Sequence, residues 1–311
     1  MRWKISHLCL LLSAFTFLCS SARASININV EAVQKAVVFL YAADASGAVD
    51  KNKPIGTGFL ISIPTNADPK RIYPVLVTAR HIFDPTWAKC GVENPSIIYA
   101  RLNKKFYKPN SGESGFDFAR IPLSDHGKPT WSHHTRDDID AAVVVPIAID
   151  PDQFDLGEIS IENFPTEDEL ASQSIGDPVM SAGLLPGLAG NTRNYPIFKF
   201  GNISNIPSED VETHCGPQQT GFPVKVWLIA ANLVPGNSGS PIFHVPLGGN
   251  GISIGGTRPV LLGVQSISFI GADVAGMTPI NFVYEILQNM AFPDSNLHRG
   301  PPSAPSIPSP K

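Results

Sequence analysis

The sequence has 311 residues, of which 43% are hydrophobic and only 16% are charged, and its 29 prolines and 26 glycines imply many turns. This length allows one large all-β domain or two ordinary domains. The formal net charge of −4 and the lack of any basic run argue against a protein that binds nucleic acid or an anionic membrane surface.

The first 24 residues are predicted to be a secretory signal peptide. Arg2 and Lys4 precede an apolar run at residues 8–18, and Ala22 and Ala24 are small residues at the two positions that a signal peptidase reads. The run is shorter than the roughly 20 apolar residues of a transmembrane helix, so we expect no membrane span after cleavage. Cleavage leaves 20 basic and 27 acidic side chains, a formal charge of −7. The sequence therefore predicts a secreted or periplasmic protein.

The four cysteines divide between the signal peptide and the mature chain. Cys9 and Cys19 leave with the signal peptide, so only Cys90 and Cys215 remain. Cys19 raises the alternative of a lipid-anchored protein, although the bulky Leu18 before it disfavours lipid attachment. In an oxidising compartment Cys90 and Cys215 can form one disulfide, and the alternative is two unpaired buried thiols. No second pair of residues at metal-ligand spacing accompanies Cys215, so no metal site is predicted.

Short runs rich in β-branched or aromatic residues follow one another along the mature chain, each bounded by Gly, Pro, Asn or Asp, as is typical of strands. Such a meander is typical of β-sandwiches and barrels. Residues 281–290 could form a short helix, and the proline- and serine-rich composition after residue 293 predicts a tail that cannot bury a core. The predicted strands lie at residues 36–41, 56–63, 73–78, 141–147, 177–182, 196–200, 223–230, 241–245, 260–270 and 278–282.

The segment PGNSGSP at residues 235–241 contains the candidate nucleophile, Ser238. A serine hydroxyl is a weak nucleophile and needs a base to remove its proton. The reaction also needs backbone N–H donors aimed at the oxyanion that forms during attack. Gly236 allows the chain to turn so that its own N–H and that of Ser238 converge. The alternative is an ordinary glycine- and serine-rich turn between two strands.

The candidate base is His81, which follows the strongly apolar strand predicted at residues 73–78. A third group must orient the imidazole and stabilise its charged form. Asp140 stands at the start of the apolar run that follows it, where it can be held rigidly. The alternatives are a surface histidine with no partner, and Asp137 or Asp138 in place of Asp140.

The order His81, Asp140, Ser238 resembles the triad of the chymotrypsin/trypsin-like serine peptidases. The resemblance is carried by GTGFLI, TARH, DAAV and GNSGSP, which begin at residues 56, 78, 140 and 236, and it extends over about residues 30–291. It implies an all-β fold of two packed antiparallel six-stranded β-barrels, with a short C-terminal helix and the triad in the cleft between the barrels. It also implies hydrolysis of protein or peptide substrates through an acyl-enzyme, without metal or cofactor.

This resemblance divides the chain into four parts. The signal peptide at residues 1–24 precedes a first barrel at residues 25–150, which contains His81 and Asp140. Residues 151–292 form the second barrel, which contains Ser238, together with the C-terminal helix. Residues 293–311 form the tail. The family alternatives are a binding protein of the same fold that no longer cleaves, and an esterase or acyltransferase that uses the same triad.

The resemblance also implies a substrate cleft. Ser266, Ile267 and Ser268 resemble the strand that pairs with the substrate backbone and forms one wall of the pocket for the residue before the cut. Gly276 resembles part of the opposite wall. Asn232 stands where enzymes selective for Arg or Lys carry an acid. We therefore expect a preference for a small, aliphatic or polar residue.

Two departures from the family pattern concern activation and disulfides. In pancreatic-type members the residue before the nucleophile is an aspartate that pairs with an amino terminus released by zymogen cleavage. Asn237 cannot form that ion pair, and it resembles instead the bacterial-type and HtrA-like members, here without a PDZ domain. Cys90 and Cys215 do not match the disulfides of the family.

Overall fold

The computed structural model describes residues 30–68, 70–146, 149–214, 221–245, 260–269, 271–295 and 297. The predicted signal peptide, Cys215 and the tail from residue 298 lie outside the described residues. Among the described residues, no helix is long and apolar enough to span a membrane.

One sheet dominates the N-terminal half of the chain. Eight strands form it in the order β5-β4-β1-β2-β3-β9-β8, with β10 pairing in parallel with β2, while β6 and β7 form a separate hairpin. This half thus differs from the six-stranded barrel predicted for it. Its strands are β1 (Val37–Ala43), β2 (Val49–Pro64), β3 (Ile72–Thr78), β4 (Ile97–Asn103), β5 (Phe116–Pro122), β6 (Ser124–Asp125), β7 (Lys128–Pro129), β8 (Trp131–His133), β9 (Ala142–Val144) and β10 (Ile159–Ser160).

A closed barrel forms most of the C-terminal half. Its six strands pair in the order β11-β12-β15-β18-β17-β16, and β13 pairs with β14 outside the barrel. The predicted all-β fold, with a closed six-stranded barrel in this half, is confirmed. The strands are β11 (Pro178–Gly183), β12 (Ile197–Asn205), β13 (Val211–Thr213), β14 (Phe222–Val224), β15 (Trp227–Ala230), β16 (Pro241–His244), β17 (Val260–Phe269) and β18 (Val274–Pro279).

The helices are short. They are α1 (Val30–Ala36), α2 (Arg80–Phe83), α3 (Glu167–Ala171) and α4 (Ile280–Gln288), with a 3₁₀ turn at Ile161–Asn163. The predicted C-terminal helix is confirmed as α4. The strand predicted at residues 278–282 is wrong, because Pro279 ends β18 and the chain turns directly into α4. The apolar face of α4 is buried against both halves: Ile280, Val283, Tyr284, Ile286 and Leu287.

A single hydrophobic cluster joins the two halves of the chain. It includes Phe39 and Phe59 from the N-terminal sheet and Met180 and Phe243 from the barrel, all at most 1% exposed. Burial of each such side chain stabilises the folded state by about 1.5–3 kcal/mol. The two halves therefore share one core, and loops that emerge beside it are held at fixed relative positions.

Candidate active site

The pairing of β3 with β9 brings two of the predicted site residues to the same end of the N-terminal sheet. Thr78, the last residue of β3, lies opposite Ala142, the first residue of β9. The chain turns into α2 immediately after β3, which places His81 three residues beyond Thr78. Asp140 precedes Ala142 by two residues. Because the strands are antiparallel, His81 and Asp140 face each other across the sheet end.

The Asp140 carboxylate is fully buried and binds His81 through both oxygens. Oδ2 lies 2.8 Å from His81 Nδ1, and Oδ1 accepts the His81 backbone N–H at 3.0 Å. The second hydrogen bond fixes the carboxylate relative to the histidine backbone, so the imidazole is oriented as well as bound. With Nδ1 donating to Asp140, Nε2 is the nitrogen left to accept a proton. The His81 side chain is 20% exposed.

The environment of His81 shifts its basicity. Burial alone would lower the pKa of the imidazole, but the negative charge of Asp140 and its hydrogen bond outweigh burial and raise that pKa above its ordinary value of 6.5. A higher pKa makes the neutral imidazole a stronger base toward the proton of a hydroxyl.

The other two acids of the same loop have different partners. Asp137 accepts from Arg80 Nη1 at 3.4 Å, and Asp138 pairs with Arg136. Arg80 itself is buried and stacks over the Trp87 ring at 4.5 Å. Among the described residues, Asp140 is the carboxylate that contacts His81.

Ser238 lies in the loop between β15 and β16, and contacts with β2 bring it to the same place. The Thr57 backbone N–H donates to the Ser238 carbonyl at 2.8 Å. Gly56 lies between Ser238 and Ile82, the residue after His81. A Cβ on Gly56 would lie 2.7 Å from Ile82 Cδ1 and 3.0 Å from the Ser238 carbonyl oxygen, so the lack of a side chain allows this close packing. The loop that carries Ser238 is thus packed against the chain that carries His81.

The backbone N–H groups of Gly236 and Ser238 are the donors predicted to bind the oxyanion. In the described part of the chain, neither the Gly236 N–H nor the Ser238 N–H donates a hydrogen bond to another protein group. By contrast, the N–H groups of Asn237 and Gly239 donate to the carbonyls of Val234 and Gln265. An oxyanion that forms during attack by Ser238 needs donors that are not already paired, and the Gly236 and Ser238 N–H groups meet that requirement within the described chain.

Asn237 holds this loop through its side chain and is 1% exposed. Its Nδ2 donates to the Leu184 carbonyl at 2.7 Å, and its Oδ1 accepts from the Val234 N–H at 2.9 Å and from Lys199 Nζ at 3.2 Å. The amide group therefore has its partners within the folded chain. It needs no ion pair with a free amino terminus to stay in place.

Asn232 is exposed, and its backbone carbonyl accepts a hydrogen bond from Lys199 Nζ at 2.6 Å. Burial lowers the pKa of Lys199. Among the described residues, no carboxylate lies within ion-pair distance of this ammonium group. A positive charge that has no counterion in the described part of the chain thus lies next to the residue expected to line the specificity pocket.

Within the described ranges, the strand expected to pair with substrate has no neighbouring strand along one edge from Ser266 onward. On one side β17 pairs with β18 as far as Phe269. On the other side its pairing with β16 ends at Val264, and the last backbone hydrogen bonds are those of Gln265 with Gly239 and Ser240. Ser266 is buried, and its hydroxyl accepts the Thr278 N–H at 3.1 Å and also bonds the Thr278 hydroxyl, which donates to the Asp140 carbonyl at 3.3 Å. The open edge therefore begins directly beside Asp140.

The strand register pairs Gly276 with one of the three residues proposed for the other pocket wall. Ile267 lies opposite Gly276, and Ser268 lies opposite Ala275. A Cβ on Gly276 would lie 2.4 Å from Ile267 Cγ1 and 3.2 Å from Val226 Cγ2, so that face packs outside the barrel core. Opposed residues share a face and successive residues alternate. The residue that faces Ser268 is therefore Ala275, which the sequence did not single out.

Cys90 packs against the cluster formed by Ala88, Phe222, Val224 and Val226. Lys89 Nζ donates to the Gly221 carbonyl at 2.8 Å. The chain that follows the 215–220 segment thus passes close to Cys90. Because Cys215 lies outside the described residues, the disulfide between Cys90 and Cys215 remains a prediction.

The sequence did not identify Thr57, Lys199 or Thr278 as parts of this region. Thr57 lies inside the GTGFLI block, so its position between two glycines was the available signal. Lys199 gives no comparable signal, because its contacts are with residues more than 30 positions away. In the described ranges, no group of three or more His, Cys, Asp and Glu side chains is arranged to hold a metal ion.

Comparisons with known proteins give a limited picture. No protein-family model and no curated protein matches the chain. Among solved structures, the MamO protease domain from Magnetospirillum magneticum (apo form) is 14% identical, with 85% of this chain and 100% of that chain covered and a TM-score of 0.46. The protease Anisep from Arthrobacter nicotinovorans is also 14% identical, with 79% and 90% covered and a TM-score of 0.43. These similarities are too low to carry an argument about activity.

Proposed function

We propose that the chain is a secreted serine endopeptidase that hydrolyses peptide bonds through an acyl-enzyme intermediate. The observation that carries the proposal is the buried Asp140 carboxylate bound to both His81 Nδ1 and the His81 backbone N–H, beside a loop whose Gly236 and Ser238 N–H groups are unpaired among the described residues. This arrangement supports the proposal, since it would supply the orienting acid, the base and the oxyanion donors that acyl transfer requires.

In the proposed mechanism, Ser238 Oγ attacks the peptide carbonyl while His81 Nε2 takes the hydroxyl proton. Asp140 keeps the imidazole proton on Nδ1 and stabilises the imidazolium that forms. The N–H groups of Gly236 and Ser238 donate to the oxyanion of the tetrahedral intermediate. His81 then protonates the leaving amine, and a water molecule, deprotonated by His81, hydrolyses the acyl-enzyme. Every proton is returned by the end of the cycle.

The substrate backbone is proposed to pair with the edge of β17 that begins at Ser266, after the last hydrogen bonds of Gln265. Main-chain hydrogen bonds along a sheet edge bind an extended peptide with little dependence on its sequence. Selectivity would then come from the pocket near Asn232, Ser266 and Ser268. Export through residues 1–24 is part of the proposal: an exported protein whose mass begins at Ser25 supports it, and retention of the leader counts against it.

The activity should fall on the acid side of neutral pH. His81 must be neutral to accept the Ser238 proton, and its raised pKa keeps it protonated up to a higher pH than an ordinary histidine. We therefore expect kcat/KM to decline as the pH falls through a midpoint above 6.5. A pH–rate profile of kcat/KM for a peptide substrate measures this midpoint. A midpoint below 6.5 would show that His81 is not the base or is not stabilised by Asp140.

Peptides with Lys or Arg before the cut should be poor substrates. The Lys199 ammonium contacts the Asn232 carbonyl at 2.6 Å, so a second cation bound nearby would meet a like charge. We expect kcat/KM for lysine to be about 10-fold or more below that for the isosteric, uncharged norleucine, since like charges at short range cost on the order of 1 kcal/mol or more. The assay compares two peptides that differ at that position alone.

Lys199→Met is the control for this charge effect. Any general loss of activity from the substitution affects both peptides, so the ratio of their kcat/KM values isolates the charge. The ratio should move toward unity in the variant. Equal hydrolysis of both peptides by the wild-type protein, or an unchanged ratio in Lys199→Met, would show that the charge of Lys199 does not determine specificity.

A silent binding protein of the same fold is the second candidate, and one observation favours it. Within the described residues, no hydrogen bond joins the Ser238 hydroxyl to His81. Hydrogen bonds between catalytic groups often tighten only when substrate binds, so this geometry is compatible with either function. Covalent labelling of Ser238 separates the two.

A further inference from the structure

The Thr57 side chain connects the N-terminal sheet to the loop that carries Ser238. Thr57 lies in β2 and is fully buried. Its hydroxyl donates to the Gly236 carbonyl, 179 residues later, at 2.7 Å. The same oxygen accepts the Leu184 N–H at 2.9 Å. Because a hydroxyl has one proton, the bond from Leu184 leaves that proton for the Gly236 carbonyl.

The Thr57 backbone is held in turn on both sides. Its carbonyl accepts the Thr78 hydroxyl at 2.7 Å, and its N–H donates to the Ser238 carbonyl at 2.8 Å. One residue thus binds the carbonyls of both Gly236 and Ser238, with its own position set by the strand that leads to His81. The Asn237 carbonyl between them accepts the Ser240 N–H at 2.8 Å.

Gly236 is the position in this loop that most needs an external restraint. Its φ of +98° is in the region that favours glycine, and a glycine backbone is otherwise free to change conformation. A Cβ there would lie 2.8 Å from Pro186 Cγ, so the loop cannot use a bulkier, stiffer residue. The hydrogen bond from Thr57 fixes the peptide plane that follows Gly236. The Gly236 N–H belongs to the preceding plane, so the Thr57 bond acts on it indirectly, by fixing one of the two planes that meet at the Gly236 Cα.

We propose that Thr57 is a positioning residue for the oxyanion hole. Its hydroxyl holds Gly236 in the conformation that leaves the Gly236 N–H free to donate to the oxyanion, and it does so without touching the substrate. This inference rests on the proposed peptidase function. It predicts an effect on the chemical step that a threonine buried only for packing would not have.

The test compares Thr57→Val with Thr57→Ser. Valine keeps the shape and removes the hydroxyl, and serine keeps the hydroxyl and removes a methyl group. Loss of an oxyanion donor itself lowers kcat by about 10²–10³-fold, so loss of the group that positions one should lower kcat by about 10- to 100-fold. KM should change little, because the edge of β17 is untouched. Thr57→Ser should restore most of the lost kcat.

A tetrahedral boronate inhibitor supplies a second readout. A peptide boronate places a negative oxygen where the oxyanion forms, whereas the product peptide does not. Thr57→Val should weaken boronate binding by a factor similar to the loss in kcat and leave product binding unchanged. A role confined to packing would lower the unfolding temperature more in Thr57→Ser, which loses a methyl group, than in the isosteric Thr57→Val, without this selective loss.

The matched control is Thr65→Val. The Thr65 hydroxyl also joins a backbone carbonyl and a backbone N–H, both of Asp68, but it lies just beyond the C-terminal end of β2. It should leave kcat and boronate affinity within about twofold of the wild-type values, as expected for a change remote from the site. If Thr57→Val does not fold, Thr57→Ala removes the same hydroxyl with less crowding and is measured instead, below its unfolding temperature.

The outcomes distinguish the inference from the function on which it rests. Wild-type protein that hydrolyses no peptide and binds no boronate overturns the peptidase proposal, and the positioning role with it. Active wild-type protein with a folded Thr57→Val variant of equal kcat and boronate affinity overturns the positioning role alone. Selective loss in Thr57→Val, rescued by serine and absent in Thr65→Val, supports it.

Discussion

Ser238→Ala should abolish peptide hydrolysis, with kcat/KM lowered by about 10⁴-fold or more, because the proposed mechanism has no other nucleophile. The fold should be unaffected. Ser238 is half-buried, and its contacts with β2 are made by its backbone carbonyl, which alanine retains. Initial rates on a peptide substrate, with the unfolding temperature measured in parallel, test this result.

Ser240→Ala is the matched control for this substitution. Ser240 is two residues away and fully buried, and its hydroxyl oxygen has no hydrogen-bond partner among the described residues. It should retain activity within a few-fold of the wild-type value. Near-normal hydrolysis by Ser238→Ala, or an equal loss in both variants, would show that the assignment of the nucleophile is wrong.

Asp140→Asn should lower kcat/KM by about 10⁴-fold at neutral pH, the size of effect found when the orienting acid of a triad is neutralised. The asparagine can still accept the His81 backbone N–H, so the geometry is preserved. Its amide NH₂ would then face Nδ1 and move the imidazole proton to Nε2. In that tautomer, His81 cannot accept the Ser238 proton.

Asp137→Asn controls for the loss of a negative charge in the same loop. The Asp137 side chain is 89% exposed and pairs with Arg80 rather than His81. A surface ion pair of this kind contributes little, so activity should fall less than about threefold, within the small range usual for surface substitutions. Activity of Asp140→Asn within threefold of the wild-type value would remove Asp140 from the mechanism.

The sequence predicted the strands around the site because their patterns are local. The apolar run at residues 73–78 became β3, and the run after Asp140 contains β9. The loop between β15 and β16 was marked by its glycines, and the conformations of Gly236 and Gly239, both with positive φ, show why glycine is needed there. Short-range patterns of this kind report burial and turns directly.

Other elements were missed where polar residues interrupt the apolar pattern. β4 contains Arg101, which is buried under the Phe116 ring at 3.6 Å and would be expected on a surface. α3 is short, and its signal was the capping box from Thr166 to Glu169. No element was predicted for residues 30–35, just before the strand predicted at residues 36–41, but residues 30–36 form α1. Here tertiary packing outweighs local propensity.

The hydrogen bonds that fix the loop around Ser238 could not have been read from the sequence. Thr57, Leu184 and Lys199 meet Gly236 and Asn237 across separations of 38 to 179 residues. Their side chains have no periodicity or spacing that links them. Only the packing of the barrel against the N-terminal sheet brings these groups together.

The central claim, that Ser238 is an activated nucleophile, is tested most directly by covalent labelling. The mature protein and its Ser238→Ala variant are treated with a fluorophosphonate, and their intact masses are measured. We expect one adduct on the native protein and none on the variant. No adduct on either protein, in samples shown to be folded, would contradict the claim and favour a binding protein with a silent site.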